Sequence, residues 1–82
     1  MTATVNRDLR EVVREEPEMR PRILAALADG PLTVPQIAAA IGAPTDEVVV
    51  WVMGMRRYGW VAEIKGNTID GYFQYEPTGR VS

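Results

Sequence analysis

The stretch "LTVPQIAAAIGAPTDEVVVWVMGMRRYGW", residues 32–60, decides how the chain is read. It spells two helices through their punctuation. Thr33 can accept from the backbone at a helix start, Pro35 suits a first turn, and Gly42 can close the far end in a left-handed conformation. Ile37 and Ile41 form the buried pair of that helix, with small Ala38 between them. After the short turn Ala43-Pro44, Thr45 is the expected cap of the next helix. Asp46 and Glu47 then suit the positive end of its dipole. That second helix is expected to run to about Tyr58 and to stop at Gly59.

Upstream, Val5, Leu9, Val12 and Val13 recur at helical spacing, predicting a helix over 5–16 with Asn6 as its cap and Pro17 ending it. A further helix is expected over Glu18–Ala28, with Met19, Ile23, Leu24 and Leu27 on its apolar face. Pro21 is then placed in or near the first turn, where a missing N–H matters little. Asp29-Gly30-Pro31 is a stop signal, Gly30 being suited to a left-handed cap. Leu32 leads from it into Thr33.

Downstream the period changes to two. Residues 60–65 and 71–76 alternate and are rich in aromatic and branched side chains, predicting a hairpin over 60–76. A four-residue loop, Gly66 to Ile69, sets Lys65 opposite Asp70 and Ala62 opposite Phe73. It places Trp60, Ala62, Ile64, Phe73 and Tyr75 on one face. A two-residue Gly66-Asn67 loop is the rival register, and the worse one because it sets Glu63 against Asp70. Pro77 ends the strand, and 77–82 is expected to be a loose tail.

Eighty-two residues accommodate one domain, 1–82, near the lower limit for a core without staples. With no Cys and no His, neither disulfides nor the usual zinc sites nor imidazole catalysis is expected. There is also no Gly-rich phosphate loop, so the chain is read as a non-enzyme without metal or cofactor. The longest apolar run, Val48 to Met53, is too short for a bilayer, and the charged N-terminus lacks an apolar signal segment. A cytoplasmic setting follows as the expectation. The charge is unevenly distributed: no base falls between Ile23 and Met55, where Asp29, Asp46 and Glu47 leave a net −3.

Helix, helix, short strand, helix, turn, helix, hairpin is the order of a winged helix-turn-helix. The segment "ILAALADGPLTVPQIAAAIGAPTDEVVVWVMGMRRYGWVAEI" resembles the small bacterial regulators of the MarR and ArsR type, and with the second hairpin strand the likeness spans residues 21–76. The fold class it implies is α+β, mainly α: a winged helix-turn-helix with an additional N-terminal helix and a C-terminal two-stranded wing. In such proteins the helix from Thr45 to Tyr58 lies in the major groove and the wing meets the minor groove or backbone. The DNA-facing positions would be Thr45, Asp46, Glu47, Val49, Val50, Met53 and Gly54. Val48, Trp51 or Val52, and Met55 would face the core.

Those outward positions are poor readers of bases. Sequence readout uses donors and acceptors such as Arg, Lys, Asn and Gln, and phosphate neutralisation needs cations. The face offers two carboxylates and a row of apolar side chains. Arg56, Arg57, Lys65 and Asn67 are the candidate nucleic-acid contacts, with Arg80 and the N-terminal arginines as weaker ones. Val49, Val50, Met53 and Gly54, with Trp51 at the edge, are the candidate protein-contact residues. Two functions emerge: a protein-interaction module, as a homodimer or small subunit of a larger assembly, or a DNA-binding regulator. The residues favour interaction. Burial of Val49 and Val50 under the chain's own N-terminal helix or hairpin is the competing outcome, and Trp60, Phe73 and Tyr75 are read as hairpin core.

Overall fold

The computed structural model describes residues 8–80, apart from the side chain of Asn67. Its elements are α1 (Leu9–Arg14), α2 (Glu16–Ala26), a 3-10 turn (Leu27–Asp29), β1 (Leu32–Thr33), α3 (Val34–Ile41), α4 (Thr45–Arg57), β2 (Val61–Ile69) and β3 (Tyr72–Pro77). The strands form one antiparallel sheet in the order β1-β3-β2. This is a winged helix-turn-helix with an additional N-terminal helix and a hairpin wing.

Helix α1 is capped by Asp8, whose carboxylate accepts from the Arg10 N–H at 2.9 Å. That backbone bond, reinforced by the Arg10 side chain, holds the Asp8 carboxyl below its ordinary value. Asn6, the expected cap, and Val5 lie outside the described residues. Helix α2 begins two residues earlier than expected, at Glu16, so Pro21 falls inside it rather than in its first turn. The missing N–H at Pro21 removes one helical bond. A bidentate ion pair bridges the same turn: Arg20 donates to Glu16 at 2.7 and 2.8 Å. This bond raises the Arg20 pKa above its ordinary value. The Arg20 guanidinium also lies 4.4 Å from the centre of the Trp60 ring.

Gly30 is not the left-handed cap that its neighbours suggest. Its φ of 147° and ψ of 169° place it in a region open essentially to glycine alone, and the chain leaves the 3-10 turn extended into β1. Thr33 does cap α3, in a reciprocal box: its hydroxyl accepts from the Gln36 N–H at 3.3 Å, while the Gln36 side chain accepts from the Thr33 N–H at 2.9 Å. Gly42 closes α3 in the left-handed conformation, as its position predicts. Thr45 is not a cap. Pro44 takes that place without a side-chain bond, and Thr45 is the first helical residue.

The core gathers Val12 from α1, Ile23 from α2, Leu27, Val34, Ile37 and Ala38 from the centre, and Val48, Trp51, Val52 and Met55 from α4. Trp60, Val61 and Tyr75 close it from the wing, while Ile41 is only partly buried. Phe73, expected in the hairpin core, is 40% exposed.

The hairpin register differs from both expectations. Glu63 pairs with Tyr75 and Ala62 with Glu76, while Ile69 pairs with Tyr72 across a two-residue turn at Asp70-Gly71. Both turn residues have positive φ, 53° and 85°, as a turn matched to the twist of a hairpin requires. An irregularity between Ile64 and Thr68 takes up Gly66 and Asn67, while Thr68 and Ile69, expected in the loop, pair with Phe73 and Tyr72. The shift is odd in number, so it exchanges the faces of β2 and turns Val61 inward in place of Ala62. The segment after Pro77 is not loose through Arg80. The Thr78 hydroxyl donates to the Gly59 carbonyl at 2.6 Å, and the Arg80 guanidinium donates to the Tyr58 carbonyl and lies 4.6 Å from the Trp60 ring centre.

The capping box gives a direct prediction. Thr33→Ala removes one of its two bonds at a buried position and should lower stability by about 1 kcal/mol, read as a shifted midpoint in urea unfolding with an unchanged slope.

Candidate functional site

Among the described residues, helix α4 packs into the core of its domain along one side. Val48, Val52 and Met55 are 0% exposed, and Trp51 is 2% exposed. Trp51 is therefore not at the edge of a contact face. Its indole N–H reaches across to donate to the Val12 carbonyl at 2.6 Å, fixing α1 against α4. The opposite side keeps Val49 40% and Met53 37% exposed, with Val50 partly buried against the core.

The N-terminal helix covers this side only in part. Val12 faces inward, which leaves Leu9 and Val13 of the same helix turned to solvent. Leu9 and Val13 line one wall of a groove of about 420 Å³, and Val49, Val50, Met53 and Gly54 line the other. Glu16, Arg57 and Tyr58 complete its margin. Four of the five sequence candidates for protein contact thus come together on one surface, and Trp51 alone is withdrawn into the core. Leu9, Val13 and Tyr58 were not among the candidates. The signal for the first two lay in the N-terminal stripe, which carries apolar residues on too wide an arc for a six-residue helix to bury.

The nucleic-acid candidates do not converge in the same way. Arg56 lies 3.8 Å from the Glu63 carboxylate on β2, an ion pair between helix and wing. Arg57 sits at the margin of the apolar groove, and Lys65 is exposed on β2. Asn67 is in the irregular part of β2, and its side chain lies outside the described atoms. A second hollow, of about 510 Å³, separates the start of α4 from the wing tip. Val34, Val49, Tyr72, Phe73 and Tyr75 make it apolar, and Asp46 is the one carboxylate-bearing residue that lines it. Among the described residues, no group of three or more His, Cys, Asp or Glu could hold a metal ion.

Tyr75 ties the wing to this region. Its hydroxyl donates to Glu63 at 3.3 Å. Burial, followed by the nearby Glu63 charge, pushes its pKa above the ordinary tyrosine value. The folded state thus holds the phenolic proton more tightly than the unfolded chain. The associated stability is complete below the unfolded value of about 10 and is lost as pH rises through the higher folded value. Thermal unfolding of the wild type followed from pH 8 upward should therefore show an alkaline loss of stability, and Tyr75→Phe should reduce that loss.

No family model matches the chain, and no curated protein matches it. Solved structures do. The solution structure of the homodimeric winged helix-turn-helix DNA-binding domain of a possible ArsR-family transcriptional regulator from Mycobacterium bovis aligns with a TM-score of 0.65 and 22% identity, covering 96% of this chain and 77% of that one. Human N-acetylserotonin methyltransferase in complex with SAM aligns with a TM-score of 0.61 and 20% identity, and there this chain spans 26% of the longer protein. One architecture thus accounts for a regulator's domain and for part of an enzyme. What this chain has in common with both is the winged helix-turn-helix fold.

Proposed function

We propose that the chain is a winged-helix protein-interaction module in which α4, at the recognition-helix position, meets another polypeptide. One observation carries this reading: Leu9, Val13, Val49 and Met53, 62%, 52%, 40% and 37% exposed, form one apolar surface where base readout would need donors. Fully burying such a side chain contributes roughly 1.5–3 kcal/mol, and each of these has a fraction of that left to gain. A cluster of this kind, bordered by charges, has the character of an interface centre. A non-catalytic role in the cytoplasm belongs to the same reading. No single helix among the described residues is long and apolar enough to cross a membrane.

A second reading, a DNA-binding regulator, is favoured by the likeness to the Mycobacterium bovis DNA-binding domain. It would rely on Arg56, Arg57, Lys65, Asn67 and the N-terminal arginines. Arg56 is already engaged by Glu63, which weakens its claim on a phosphate.

Fluorescence anisotropy with a mixed-sequence DNA duplex at low salt separates the two. Cationic DNA-binding domains bind non-specifically with Kd of about 10⁻⁴–10⁻⁶ M and lose affinity steeply with salt. The interaction reading expects no saturation in that range. Micromolar binding that weakens by orders of magnitude between about 50 and 200 mM salt would instead establish the regulator.

A further inference from the structure

The outward face of α4 is patterned along its length. Asp46 lies in the first turn of the helix and Arg57 in the last. Val49, Val50, Met53 and Gly54 occupy the same side between them and are half-buried or exposed. This arrangement is self-complementary. If a second α4 lies antiparallel across this outward face, about a two-fold axis at the height midway between residues 51 and 52 along the helix, each position meets the one equally far from the centre. Asp46 then faces Arg57, Val50 faces Met53, and Val49 faces Gly54. Opposite charges meet at both ends, a branched side chain meets a long flexible one near the middle, and a valine meets the residue with no side chain. The helix dipoles are opposed as well.

Gly54 supplies an independent observation. Glycine inside a helix costs about 1 kcal/mol relative to alanine. The chain's own packing does not require it there: a Cβ would touch only the Glu16 Cγ, at the ordinary contact distance of 3.7 Å. Close approach by another chain at this position would account for it.

Resting on the interaction reading above, we propose that the partner is a second copy of this chain, packed through antiparallel α4 helices with Leu9 and Val13 flanking the contact. The interface is small. Thirteen residues at 1.5 Å each give a helix of about 20 Å, and a contact strip one helix wide, about 10 Å, offers on the order of 200 Å², well short of the roughly 800 Å² per partner of a stable interface. The dimer is therefore a weak, concentration-dependent one.

Sedimentation equilibrium of the full chain from about 10 μM to 1 mM tests this. A monomer–dimer equilibrium within that range is expected. Asp46→Arg and Arg57→Asp should each weaken association by roughly tenfold through two symmetry-related like-charge contacts, and combining them should restore it. Both changes oppose the helix dipole, so recovered association cannot come from a better helix. Gly54→Ala should raise the monomer's Tm by about 5 °C yet weaken the dimer, a combination that misfolding cannot produce. A wild type monomeric throughout the range overturns the proposal, as does a dimer indifferent to Gly54→Ala or a charge swap without recovery. If the protein is monomeric and also fails to bind DNA, this proposal falls while the interaction reading stands with a different partner. Salt-sensitive DNA binding removes both.

Discussion

The placement of Trp51 governs the rest of the molecule. Its ring is buried beside Val48, Val52 and Met55, and its indole N–H bonds to the Val12 carbonyl. A buried tryptophan keeps its full gain from burial when that N–H finds a partner, and here the partner belongs to another helix. One side chain thus sets the rotation of α4 about its axis and brings α1 alongside. With the rotation set, Val49 and Met53 must face away from the core. The apolar surface follows from the anchoring of the inner side.

The same constraint explains the limited cover that α1 provides. Six residues make fewer than two turns, so a helix of this length presents only a narrow inward stripe. Val12 occupies it, and its apolar neighbours Leu9 and Val13 are left outside. Rather than sealing the face of α4, α1 widens it. The arginines are drawn elsewhere: Arg20 to Glu16 and the Trp60 ring, Arg56 to Glu63, Arg80 to the end of α4 and the same ring. Cations that could have served a phosphate chain are used to fasten elements of the fold.

Much of this was legible in the residues because local chemistry and global packing agree over 32–60. Thr33 and Gly42 announce helix ends through bonds made within four residues, the Asp46-Glu47 pair through charge at the positive end of a helix dipole, and the period of α4 identifies its core side apart from the choice between Trp51 and Val52. Both are buried, an outcome that alternation alone does not specify. Misreadings arose where two local signals competed. Pro21 resembles a first-turn proline because Pro17 resembles a terminator, yet Pro17 sits inside the start of α2. Gly66-Asn67 and Asp70-Gly71 are both turn sequences, and only the second closes the hairpin. The choice rests on the burial of Val61 and Tyr75 against α4 and β1, contacts distant in sequence.

The irregular stretch between Ile64 and Thr68 has a consequence for solubility. In the order β1-β3-β2, the nine-residue β2 is an outer strand, with one side of its backbone open to pairing. Long regular borders of this kind template the addition of foreign strands and seed aggregates. Here the row of backbone donors and acceptors is broken mid-strand, and Lys65 places a charge beside the break. The feature that makes the wing hardest to read from its sequence also protects its border from unwanted strand addition.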